Sequence, residues 1–264
     1  MGGPLLFVAK FFCSDIIGNS LRRRGNVENG KNYDVPIHYA MALCGGMIGV
    51  YAIVDRMGVF GSAQTANMIE LMCDVLGRDP LEISYRVMAL VIYVGAMATT
   101  VVLEKRTNWN LKYTAILVDL AAVTAVGCFP ETMNPFVALY PIFFAMAFQW
   151  CVFKGANGYV SATIFSTNNL KQTVTAFTDY LLTGRDEAGR AEKGQKAAFF
   201  GGTLLSFHAG VAAGYGCWLM WGVHSIWVCV LPLAVGAVLV TAAERQLVAV
   251  QADTAVCGLE DCVK

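Results

Sequence analysis

Apolar residues run along this chain in blocks of about 20, the length a helix needs to cross a bilayer. The blocks lie near 37–56, 83–103, 112–130, 135–154, 196–220 and 225–245, and they predict six transmembrane helices. Two further stretches, 60–76 and 160–182, interleave apolar with polar residues. The second holds Ser161, Thr163, Ser166, Thr167, Asn168, Asn169, Lys171, Gln172, Thr173, Thr175, Thr178 and Asp179. A lysine or aspartate at mid-bilayer costs about 2.5–3.5 kcal/mol on insertion scales, so this stretch cannot face lipid. It is expected to lie among other helices or to fold back as a re-entrant or broken half-helix lining a polar cavity.

Basic residues accumulate on the cytoplasmic side of membrane proteins, which separates the two topologies. Eight full crossings would put Arg56, Lys105, Arg106, Lys112 and Lys154 outside. Six crossings, with 60–76 and 160–182 as half-helices and both termini cytoplasmic, place 16 of the 19 lysines and arginines inside and leave Arg56, Arg78 and Arg86 outside. Trp218, Trp221 and Trp227 then gather at the outer turn between the last two spans, where an aromatic belt belongs. Residues 1–36 read as a cytoplasmic arm. Its apolar run 4–17 is interrupted by Lys10 and Asp15 and followed by Arg22, Arg23 and Arg24, the wrong order for a signal peptide but right for an amphipathic helix on the membrane face. Residues 247–264 read as a cytoplasmic tail.

The two halves repeat a pattern. Thr65-Ala66-Asn67 followed by Gly77-Arg78-Asp79 matches Thr167-Asn168-Asn169 followed by Gly184-Arg185-Asp186. Small residues recur in the next span, at Gly95-Ala96-Met97-Ala98 and Gly210-Val211-Ala212-Ala213. Within a single transmembrane domain, 37–246, repeat one is then 37–130 and repeat two 135–246. Each holds three crossings, an odd number, so the second inserts upside down relative to the first. Inverted repeats of this kind build transporters and channels, with the site near the midplane at the repeat interface.

Composition narrows the class further. Of 264 residues, 56% are hydrophobic and 14% charged, against about 25% charged in soluble domains, which leaves too little charge to cover a soluble enzyme. Lysines and arginines balance aspartates and glutamates at 19 each, so no basic surplus draws nucleic acid. Nine scattered cysteines read as small core residues and not as a disulfide framework. Cys257 and Cys262 lie in the tail with no histidine after them, so neither a metal nor a cofactor is expected.

Within the polar stretches, Asn67-x-x-Glu70 and Asn169-x-x-Gln172 have the spacing of capping boxes. Two helix starts meeting at the midplane would present partial positive charge to a shared cavity, favouring an anionic or neutral polar solute. Thr65, Asn67, Glu70, Thr167, Asn169 and Gln172 are the expected substrate-binding residues. Asn67, Glu70 and Asp74 share one helical face. Glu70 and the mid-span Asp119 are the proton-coupling candidates, although Asp119 could equally pair with Arg86 or a buried hydroxyl. Lys171 either snorkels to the interface or stands at the cavity mouth. His208 reads as a buried helix–helix hydrogen bonder and Gly210-x-x-x-Gly214 as a packing motif. No Gly-x-Ser-x-Gly, phosphate loop or His-Glu-x-x-His occurs, so no enzyme mechanism is nominated.

The segments GVFGSAQTANMIEL (58–71) and AMAFQWCVFKGANGYVSATIFSTNNL (145–170) resemble the YoaK-like bacterial integral membrane proteins, the domain of unknown function 1275 family. A threonine-glycine-asparagine triplet recurs in both halves of that family. Here Ala66 and Asn168 stand at its central position. The resemblance spans about 37–246 and implies a multi-pass protein of the bacterial cytoplasmic membrane, without an activity. The expectation is therefore an all-α membrane protein, a transporter or channel-like carrier of a small polar solute. The alternative is a membrane scaffold that binds a partner through its arm. A homo-oligomer is compatible with either.

Overall fold

The computed structural model describes residues 32–56, 64–77, 79–184 and 188–251, and the backbone of the last helix on to Asp261. Residues 1–31, with the expected amphipathic helix and Arg22–Arg24, lie outside the described residues, as do Arg78 and residues 185–187. Tyr33–Arg245 form one compact unit, described below. Residues 1–32 and 246–264 form the other, of which the described part is chiefly a stretch of helix.

Each of the six apolar blocks is helical over most of its length, as are 64–76 and 167–182 of the two polar stretches. The helices are α1 (Asp34–Asp55), α2 (Gln64–Gly77), α3 (Pro80–Arg106), α4 (Leu111–Gly127), α5 (Pro135–Val152), α6 (Thr167–Leu182), α7 (Arg190–Trp221) and α8 (Val230–Asp261). Local chemistry sets several starts. Asp79 accepts hydrogen bonds from the N–H groups of Leu81 and Glu82, both at 3.2 Å, ahead of Pro80, where a missing N–H costs nothing. Asn134 and Pro135 open α5 in the same way, and Asn110 caps α4. Gly222 breaks the chain between α7 and a short 3-10 helix, Gly222–Cys229. A hairpin, β1 (Gly155–Ala156) and β2 (Tyr159–Val160), turns on Asn157-Gly158, both with positive φ. That dipeptide is a strong hairpin signal.

Four helical stretches are long and apolar enough to cross a membrane: Asp34–Asp55, Pro80–Arg106, Pro135–Val152 and the run Arg190–Gln251 that contains the break. The remaining block, α4, is a helix of 17 residues.

End contacts fix the helix directions. At one end Lys112 Nζ lies 2.8 Å from Asp34, Asn110 donates to Glu244 at 2.9 Å, and Lys154 Nζ lies 3.9 Å from Glu104. At the other, Trp218 donates to Asp55 at 3.2 Å, Trp227 to the Thr124 carbonyl at 3.4 Å, and Tyr140 to the Tyr85 carbonyl at 3.2 Å. Helices α1, α4 and α7 therefore run one way, and α3, α5 and α8 the other. Because α1 ends where α3 begins, α2 doubles back between them. The same holds for α6 between α5 and α7.

The most extensive helix pair is α1 with α7, followed by α6 with α7, α3 with α5 and α4 with α5. In lipid there is little hydrophobic gain from bringing helices together, so close van der Waals packing carries the association. Glycines permit it here. A Cβ on Gly46 would lie 2.0 Å from the Phe207 carbonyl oxygen, and one on Gly210 would lie 2.0 Å from that of Leu43. Gly210-x-x-x-Gly214 is thus the α7 side of this crossing. The apolar core is built from α1, α3, α4, α5 and the 3-10 turn, with Met41, Ile48, Leu139, Phe143 and Met146 at its centre.

Candidate functional site

After the hairpin, residues 161–166 run without helix before α6 begins, and Ser161, Ala162, Thr163 and Ile164 are buried. Unwound backbone at depth must have its polar groups satisfied. Asn169 does much of this. Its amide nitrogen donates to the carbonyls of Ala162 (2.7 Å) and Phe165 (3.3 Å), and its oxygen accepts from Ser161 Oγ (2.8 Å). The expected capping box at Asn169-x-x-Gln172 is not formed. Ser166 is the N-cap residue, with no side-chain cap bond, and Asn169 already lies inside the helix. Its side chain reaches back to the unwound segment, whose carbonyls and Ser161 hydroxyl it engages in place of the free N–H groups of the helix start. A Cβ on Gly45 would lie 2.3 Å from the Thr163 carbonyl oxygen, so a glycine is needed where α1 meets this segment. Thr167 and Lys171 are exposed and Gln172 half-buried.

The first half-helix is arranged differently. Asn67 is buried in α2, while Thr65 and Glu70 are exposed. The helix is already formed at Gln64, so Asn67 is not its N-cap either. Residues 57–63, which precede it, lie outside the described residues. Arg86 of α3 bridges Glu70 and Asp74 of α2, with Nε 2.5 Å from Asp74, and its guanidinium stands 4.6 Å over the Phe136 ring. This settles the expected Asp119–Arg86 pair against itself: Arg86 is committed to the two α2 carboxylates. Each half-helix packs mainly on the span that follows it, α2 on α3 and α6 on α7.

The polar groups of the core lie elsewhere. Asp119 of α4 has no solvent exposure, and neither carboxylate oxygen has a hydrogen-bond partner among the described residues. Its neighbours include Cys44 of α1 and Cys229 of the 3-10 turn. Gln149 of α5, also without exposure, donates to the Met41 carbonyl (3.2 Å) and Thr163 Oγ1 (2.8 Å), while its Oε1 has no partner. His38 of α1 is buried against Phe199, ring centroids 5.3 Å apart, and neither ring nitrogen has a hydrogen-bond partner among the described residues. The three approach α1 at residues 38, 41 and 44. Successive positions there are three residues apart, about 4.5 Å of helical rise.

Gln149 and His38 were not among the sequence candidates. A lone amide in the apolar block 135–154 was the available signal for the first; position near a span end hid the second. His208, expected to be buried, is exposed, and its Nδ1 lies 2.9 Å from the Leu204 carbonyl of its own helix. Among the described residues no group of three His, Cys, Asp or Glu side chains is placed to hold a metal.

A family model described as "Protein of unknown function (DUF1275)" matches residues 37–239, and the chain belongs to that family. No curated protein and no solved structure matches the chain.

Proposed function

We propose that this DUF1275 protein carries a small polar solute across the membrane, as a transporter or channel, past Asp119, Gln149 and His38. One observation carries the reading: three fully buried polar side chains keep unused hydrogen-bonding capacity in an otherwise apolar, close-packed core. A buried polar group left unpaired costs about 1–3 kcal/mol, more if charged, and an ionisable group inside a membrane domain is by default a functional one. Such groups persist where an occupant completes them for part of the cycle.

The helix arrangement supports an inverted-repeat transporter. With α1–α4 and α5–α8 as the two units, the first helix of each packs on the third of the other, α1 on α7 and α5 on α3. Likewise α4 packs on α5, and Gly236 of α8 lies against Met41 of α1. The opposed directions of α1 and α5 agree with six crossings and two half-helices that return to the side they entered. In this reading the half-helices flank the path. Thr65, Glu70, Thr167 and Gln172 stand along its approaches, and Asn67 and Asn169 hold the helices in place. The membrane would be the bacterial cytoplasmic one, with the Asp34 end of α1 inside.

A scaffold without transport has one observation in its favour: every polar atom of the Asn169 side chain is engaged within its own segment. Uptake into proteoliposomes separates the two. Asp119→Asn and Gln149→Leu are expected to lower solute flux by about tenfold or more, with the protein still monodisperse. Flux that is absent in wild type, or unchanged in both variants, would leave the scaffold.

A further inference from the structure

The unmet hydrogen bonds of the core are almost all of one kind. Asp119 offers two acceptor oxygens and Gln149 a third, Oε1, while its own N–H donors are already used. His38 adds one donor and one acceptor when neutral. With Asp119 ionised the core is short of donors and that oxygen pair carries the negative charge; protonated, the carboxyl would itself supply one O–H. Among the described residues no cationic side chain neutralises that carboxylate. The nearest arginine by sequence reasoning, Arg86, is held by Glu70 and Asp74. Arg56 lies with Asp55, the Pro130 carbonyl and Tyr51 at the far end of α1.

We infer that the core of this protein selects a small monovalent cation bearing N–H donors, an ammonium-type ion, which Asp119 neutralises while Gln149 Oε1 accepts a second bond. The inference rests on the solute-carrying reading and names its substrate class. It reverses the sign expected from two converging helix starts. The reason is geometric: the two polar helices pack mainly on α3 and α7, whereas the unpaired groups beside α1 are mostly acceptors. An anion with only acceptor atoms would face three more acceptors and would leave all of them unpaired. A quaternary ammonium has the charge but no donor. A sodium ion needs several oxygen ligands around it, and the neighbours of Asp119 include two thiols, Cys44 and Cys229.

Thermal unfolding of the purified full chain in detergent, with sodium chloride as the ionic-strength reference, tests this. Methylammonium chloride is expected to raise Tm by on the order of 5 °C at concentrations well above its Kd. Tetramethylammonium chloride and sodium nitrate should give no shift. Asp119→Asn should abolish the methylammonium shift. Gln149→Met should weaken it, and serves if the first variant does not fold. Stabilisation by nitrate, equal stabilisation by tetramethylammonium, or no shift with methylammonium overturns the inference. Flux measurements tell its failure from that of transport. Asp119-dependent uptake of an anion would overturn donor selection and keep the carrier. Methylammonium protection without any flux would keep the site and overturn the carrier.

Discussion

The two half-helices carry the same threonine-x-asparagine pattern and are held in opposite ways. Helix α2 is clamped by charge: one guanidinium is shared between Glu70 and Asp74, and Glu70 is 55% exposed. Helix α6 is held by neutral bonds and contact. Asn169 ties it to the buried segment 161–166, and that segment is wedged against Gly45 and Gln149. Its C-terminal end has an arginine too, but Arg190 donates to the carbonyls of Tyr180 and Thr183 and covers the Tyr180 ring, and Lys193 donates to Thr183 Oγ1 at 2.9 Å. In both cases the following helix thus supplies a guanidinium to the shorter helix before it. On α2 two carboxylates answer it; on α6 helix-end carbonyls, which accept without a full charge, do so.

The sharpest way to break the comparison is at Gly45. Gly45→Val would drive side-chain carbon into the Thr163 carbonyl and is expected to cost about 3 kcal/mol or more, as overpacking against backbone does. Thermal unfolding in detergent reads the loss, and hydrogen exchange should show α6 loosened before α2. Equal loosening of both would mean that the wedge does not hold α6 in particular. Next is Asn169→Ala, which leaves Ser161 Oγ and two carbonyls without that partner, for about 2–3 kcal/mol. A native melting curve for this variant would overturn the structural role of Asn169.

Removing the charged clamp should do less. Arg86→Gln is expected to cost about 1 kcal/mol, with the wild-type advantage shrinking at high salt. Amide exchange should rise across 64–77 and stay unchanged across 167–182. A salt-insensitive loss would show that the stacking of Arg86 on Phe136 matters more than its ion pairs. The smallest effect is predicted for Lys171→Ala, within about 0.5 kcal/mol of wild type, because Lys171 is exposed on α6. A larger loss of stability there would reveal a contact that Lys171 does not make among the described residues.

Much of the architecture was legible because long apolar blocks and polar breaks are local properties. The starts at Asp79-Pro80 and Asn134-Pro135 follow from side chains within three residues, and the Asn157-Gly158 hairpin is as local. The capping boxes failed for a reason outside their four residues. At Asn169 the unwound segment competes for the side chain, and at Asn67 the helix has begun earlier. Arg86 and Asp119 are both polar residues within apolar blocks, and nothing in their spacing says that one reaches α2 while the other remains alone.

Block length and hydropathy alone decide that the chain is a helical membrane protein, because every backbone polar group must be satisfied inside the bilayer whatever the packing. The distribution of lysines and arginines yields the six-crossing expectation by the same local logic. Packing alone decides which polar residues meet. Asp119, Gln149 and His38 come from three helices, and only the crossing of α1 with its neighbours sets them along one stretch of that helix. A hydrogen bond is a relation of distance and angle between residues up to 163 positions apart, and no periodicity along the chain records it.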